Sequence, residues 1–198
     1  CLADGVSLGF IAKEDNGARF WANVAKNFST NGFLLKGALN TEVKRNTAYA
    51  TVDGSVCIEI QINQTTGVNT VAAVVEENNF TTAAGSTAFF VNRLDVNQGV
   101  TFARNNYDVV GGATAAAFLW RKDAATTYTT LAGWQGGMEA SAAEIDPAFV
   151  DVGAGDFRPT NAAMRIGVAD SDILTDFNGA DYHATTPAVG AFELIAPD

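Results

Sequence analysis

Positive charge is scarce in this chain: 12 Lys and Arg stand against 22 Asp and Glu over 198 residues, a formal net charge of −10. A nucleic-acid-binding face needs cations to displace counterions from phosphates, so the deficit excludes nucleic acid as a partner. Long apolar runs are also missing. No window approaches the roughly 18 uninterrupted apolar residues of a membrane-spanning helix. There is a single histidine, His183, and there are two cysteines, Cys1 and Cys57. That argues against a zinc site built from His and Cys, and against a Ser-His-Asp hydrolase built on a tail histidine. Two cysteines define no disulfide framework, although Cys1 and Cys57 could pair in an oxidising compartment; the simpler expectation for Cys57 is a small, half-buried strand residue. The opening Cys1-Leu2-Ala3-Asp4-Gly5 has neither the basic flank nor the apolar run of a signal peptide. A start at Cys1 is expected of a chain that is processed or cut from something longer, with a lipid-bearing Cys1 as the alternative.

What is present suits one domain with a real core, since 47% of residues are hydrophobic and only 17% charged. A phrase recurs: Val24-Ala25-Lys26-Asn27, Val43-Lys44-Arg45-Asn46, Val75-Glu76-Glu77-Asn78 and Phe102-Ala103-Arg104-Asn105. Each reads as a short strand ending in a tight turn, because Asn tolerates the left-handed conformation. A second, apolar phrase begins near Leu8, Leu34, Ile58, Phe89 and Phe118, at intervals of 26, 24, 31 and 29 residues. Strand-length runs at such spacing, with loops absorbing the differences, describe a solenoid of about five coils, roughly 24 Å long at the strand spacing. Period two places Val56, Ile58, Ile60 and Ile62 on the core face and Cys57, Glu59, Gln61 and Asn63 on the outer face. Phe33 and Leu35 likewise face inward, Leu34 and Lys36 outward. The recurring Asn side chains are expected to stack as a ladder along the rod.

After Trp120 the pattern breaks. Thr129 or Thr130 is expected to cap a short helix carrying Leu131 and Trp134, and Gly153 to Phe157 supplies turn chemistry between strands. Residues 1–125 are therefore assigned to the coils and 126–198 to a C-terminal capping region packed on the rod, with Pro187 to Glu193 expected to cover the rod's end.

Four stretches then carry a resemblance: Asp146-Pro147-Ala148-Phe149-Val150, Gly155-Asp156-Phe157-Arg158-Pro159, Thr175-Asp176-Phe177-Asn178-Gly179, and Pro187-Ala188-Val189-Gly190-Ala191-Phe192-Glu193. They resemble the closing region of secreted right-handed parallel β-helix proteins of the pectate-lyase-like superfold. The chain departs from that pattern at Arg158-Pro159 and at Ala180-Asp181-Tyr182. The resemblance implies an all-β, right-handed parallel β-helix of extracellular or cell-surface location, with polysaccharide as partner. It leaves open whether the rod cleaves, binds or builds.

A lyase of that superfold needs a base and a cation, or calcium, to neutralise a uronate. Lys36 is the candidate base on the outer face and Arg45 the candidate carboxylate binder. Glu59 and Gln61, one coil on, are candidates for sugar hydroxyls or a cation; the simpler reading is a surface ion pair of Lys36 with Glu59. Asp53 with Glu59 is a candidate hydrolase pair. Asp170, Asp172 and Asp176 suggest calcium but lack the glycine and glutamate of an EF-hand loop. Trp21, Tyr49, Trp120 and Trp134 are candidate sugar platforms, Trp21 above all, or packing residues. Asn63-Gln64-Thr65 and Asn79-Phe80-Thr81 match a glycosylation acceptor too common to weigh. The non-enzymatic alternative is a structural subunit of an appendage, adhesin or filament, self-associating through an apolar open coil end around Leu8, Phe10 and Ile11.

Overall fold

The computed structural model of the chain describes residues 1–86, 88–93, 99–110 and 128–194. The first coil is β1 (Leu2–Asp4), β2 (Leu8–Lys13) and β3 (Arg19–Trp21); the second is β4 (Val24–Lys26), β5 (Asn31–Lys36) and β6 (Glu42–Lys44). The third is β7 (Thr47–Ala50), β8 (Val56–Gln61) and β9 (Val74–Glu76), the fourth β10 (Asn79–Thr82), β11 (Phe89–Arg93) and β12 (Thr101–Ala103), and β13 (Asn106–Val109) opens a fifth. Every strand pairs in parallel with its counterpart one coil on, giving three sheets: β1-β4-β7-β10-β13, β2-β5-β8-β11 and β3-β6-β9-β12. We call these sheets 1, 2 and 3. The fold is a parallel β-solenoid of about four turns; the expected fifth apolar phrase at Phe118, like Trp120, lies outside the described residues.

The register Leu2, Val24, Thr47, Asn79, Asn106 gives coils of 22, 23, 32 and 27 residues. The sequence intervals differ because they were set on the wrong partners: Leu8 lies opposite Asn31, Leu34 opposite Glu59, and Ile58 opposite Val91. Apolar side chains are buried on both faces of this strand, so apolarity alone does not fix its register. Phe33, Leu35, Ile58 and Ile60 are buried as expected, with inward stacks of Phe10, Phe33, Ile58 and Val91 in sheet 2 and Phe20, Val43, Val75 and Phe102 in sheet 3. The Phe10 and Phe33 rings lie nearly parallel, 5.1 Å apart. Strict alternation fails at two places. Cys57 is fully buried against the Ala48 and Thr81 carbonyls, because the chain turns a corner there and two successive residues point inward. Beyond Gln61 the strand ends, so Ile62 is only half-buried and Asn63 is the buried neighbour.

The link from sheet 3 back to sheet 1 is two residues long, and here the ladder forms. Asn46 donates its amide and side-chain nitrogens to Asn78 Oδ1, and Asn78 does the same to Asn105. The first rung is Asn23, not the expected Asn27, and it donates to Asn46. The left-handed residue is the one before each Asn: Ala22, Arg45, Glu77 and Arg104, with φ of 49°, 52°, 56° and 54°. The Asn keeps extended backbone and uses its side chain.

The far end is closed by α1 (Leu131–Gly137), whose Thr130 cap accepts from the Gly133 amide as the sequence suggested. Its Trp134 packs on Phe102 and Tyr107. Glu139 terminates the ladder, accepting from Asn105, Tyr107 and Trp134. Ala143 then pairs with the exposed edge of β13. From there the chain runs along the outer face of sheet 1. The antiparallel pair β14 (Phe149–Asp151) and β15 (Asp156–Pro159) brings Phe157 onto Tyr49, 5.4 Å between rings. Pro187 to Glu193 lies on the rod's side and not over its end, with the Ala191 amide bonded to Thr47 Oγ1 and Gly190 to the Glu77 carbonyl.

Candidate functional site

Three of the left-handed corner residues, Arg45, Glu77 and Arg104, stack along the rod as a row of alternating charge. Arg45 Nε donates to Glu77 Oε2 at 2.9 Å, and Arg104 Nε donates to Glu77 Oε1 at 3.0 Å. Arg45 is only 1% exposed, and its other nitrogens donate to the Ile173 and Val168 carbonyls. The Tyr182 ring lies 4.5 Å from its guanidinium. Glu77 also accepts from the Val168 amide. Arg45 is thus a buried tie between the second and third coils and the C-terminal segment, with each of its three guanidinium nitrogens donating to a protein group. Burial pushes the Tyr182 hydroxyl far up, and that hydroxyl donates to the Gly190 carbonyl.

Beside this tie opens a cavity of about 610 Å³ lined by Arg45, Asp170, Leu174, Asp181, Tyr182 and His183 among others. His183 Nδ1 accepts from the Thr186 amide, which leaves its proton on Nε2. A narrower cleft of about 190 Å³ follows the charged row past Lys44, Glu76 and Arg104.

The other expected site residues lie elsewhere. Lys36 ends β5 on sheet 2, where its register neighbours are Lys13 and Gln61. Glu59 lies opposite Leu34, not Lys36, and accepts from Asn31 and Asn92, so no Lys36–Glu59 ion pair forms. Trp21 is on sheet 3 with the Arg19 guanidinium 4.7 Å above its ring, which covers one face. Its indole nitrogen is buried without a partner. The structure brings Lys36 and Gln61 together in one outward row, with Glu59 in the row beside it, and separates them from Trp21 and from Arg45, which a shared catalytic groove would have required. Tyr49 and Trp134 are packing residues, buried under β15 and in the closed end. Asp53 lies in the turn before β8, a loop away from Glu59.

Among the acidic positions proposed for calcium, Asp170 pairs with Lys44 at 3.6 Å and Asp176 closes a turn by accepting from Asn178, Ala180 and Glu193. Among the described residues no three carboxylate, imidazole or thiol side chains converge as a metal site requires. No described helix is long and apolar enough to cross a membrane. The motif residues of the closing region do structural work: Asp146 accepts from Ala148, Phe177 packs on Phe192, and Glu193 accepts from His183 and Ala188.

Sequence reasoning missed two carboxyls. Glu139 caps the ladder, and Asp108, on β13, is 5% exposed with Oδ2 unpartnered. Neither belongs to a recurring phrase; each is recognisable only from what the fold packs around it. Comparison with protein-family models, with curated proteins and with solved structures finds no match.

Proposed function

We propose that the chain is a structural β-solenoid module, closed at one end, that docks another β edge on its first coil. The observation that carries this reading is the contrast between the ends. At the far end the ladder is terminated by Glu139 and the β13 edge is covered by Ala143. At the near end the outer edges of β1, β2 and β3 have no strand neighbour, so sheet 1 is open there while its far edge is taken by Ala143; Leu2 and Ile11 are 54% and 46% exposed, and Phe10 and Phe20 are half-buried. Unpaired parallel edges with apolar side chains are templates for strand addition. The Arg45 tie supports the same reading, since a residue spent on holding the C-terminal segment is withdrawn from catalysis.

In a solution of this chain the docking edge is the first coil of a second copy. A head-to-tail stack would need the sheet 1 edge of the far end, which Ala143 occupies; β2 against β2 across a twofold axis satisfies both edges and stops at two. Light scattering across a concentration series tests this. The expected result is a reversible dimer, with Ile11→Lys and Leu2→Lys together weakening it by at least about tenfold; both side chains are exposed, so folding is unaffected. A monomer at every concentration, or an open-ended polymer, would overturn the reading.

A second reading rests on sheet 2. Lys13 and Lys36 are register neighbours with no described carboxylate paired to either, and Gln61 continues the row. Such a row suits the carboxylates of an acidic polysaccharide. Retardation in gels containing polygalacturonate, lost in Lys13→Glu with Lys36→Glu, would support it, and unchanged mobility of the parent chain would dismiss it.

A further inference from the structure

We propose that the seam between β13 and the capping segment is a proton-operated latch: Asp108, buried on β13 beside the segment that carries the exposed Glu144 and Asp146, holds the far end closed when protonated and loosens it when charged. The seam is where the rod is sealed. Tyr107 donates its amide to the Ala143 carbonyl, Ala143 donates to the Asn105 carbonyl, and Ile145 donates to Asn106 Oδ1. Asp108 stands on the outer side of that strand, buried, with Oδ2 in contact with neither solvent nor a donor.

Among the described residues no cation stands beside it to compensate. From the capping segment the charged groups that raise its pKa are Asp146 and Glu144, both acidic. Its row across sheet 1 runs through Thr81 and Tyr49 before reaching a cation, Lys26, three strands away. On the hairpin, Asp156 and Arg158 are paired with each other, and Asp151 accepts from the Ala154 amide. Among the described groups only the Val109 amide favours the charged form. Desolvation first, then the two facing carboxylates, raise the Asp108 carboxyl to about 7.

The sign follows. A carboxyl raised above its unfolded value stabilises the closed seam fully at pH below that value, and the contribution is lost as pH rises through the folded value. Opening of the seam should therefore increase from about pH 4 upward and level off above about pH 7. Glu139 is raised too, by burial, and lies in the same cap, but its two oxygens accept from four donors, and those bonds favour its charged form.

Amide hydrogen exchange at Tyr107, Ala143 and Ile145, corrected for intrinsic rates, tests the latch in the parent chain and in Asp108→Asn, which keeps the shape and removes the charge. The parent should show at least about a tenfold rise in the opening equilibrium from about pH 5 to about pH 7, and Asp108→Asn less than about threefold. In Glu144→Gln, with one facing charge gone, the levelling-off point should move to lower pH. A flat profile in the parent, or the same rise in Asp108→Asn, would overturn the proposal, the second outcome assigning the pH dependence to Glu139.

Discussion

Asn78 makes bonds in both directions along the rod: its Oδ1 accepts two donors from Asn46, and its Nδ2 donates to Asn105 and to the Val43 carbonyl. Asn78→Ala strands several fully buried groups at once and should cost about 3 kcal/mol in urea unfolding, whereas Asn27→Ala, exposed and outside the ladder but left-handed at φ 53° and bonded to Asp4, should cost only about 1 kcal/mol. Glu77→Ala leaves the Arg45 charge buried and unpaired, a loss of about 4 kcal/mol, and should expose residues 168–183 to limited proteolysis. Cys57 is enclosed and burial pushes its thiol far up, while Cys1 is exposed. A thiol reagent should therefore titrate one cysteine in the folded chain and two in denaturant. The ladder was legible because three of its asparagines end the same phrase. Its first rung was not, because Phe20-Trp21-Ala22-Asn23 lacks the charged residues of its partners, and Val24-Ala25-Lys26-Asn27 imitates them more closely.

The strands were legible as elements, and so was α1, whose Thr cap and Leu131/Trp134 spacing are local signals. The corners were not. At the start of the sheet 2 strands Gly9, Gly32, Cys57 and Phe90 occupy one position, and side chains there turn inward against the period-two rule. The first two must be small: a Cβ on Gly9 would lie 2.4 Å from the Gly32 carbonyl oxygen, and one on Gly32 would lie 2.8 Å from that of Cys57. Gly9→Val should accordingly displace β2 and cost about 2 kcal/mol, read as loss of exchange protection over Leu8–Lys13 with the far coils unaffected. The same lack of a local signal explains why Arg45 reads as an outward, reactive cation in the sequence and is a buried tie in the fold. The Ile173 and Val168 carbonyls that bind it lie more than a hundred residues away along the chain.

At the scale of the whole molecule, the rod is a ladder of repeated bonds with different treatment at its two ends. The far end is finished with a carboxylate, a tryptophan and a short helix. The near end presents three strand edges and exposed apolar side chains, with the Cys1 amino group bonded to Asn23. The repeats along the rod could be read from composition and spacing, since each coil restates the last. The C-terminal arm along sheet 1 could not be placed that way, because Ala191 meets Thr47 across 144 residues and Val168 meets Glu77 across 91. The measurement that bears most directly on the open first coil is the solution mass by light scattering, over a range of concentration and with reducing agent to exclude a disulfide through Cys1. A reversible dimer that Ile11→Lys with Leu2→Lys converts to monomer is the predicted result. A single chain mass at every concentration would contradict the account.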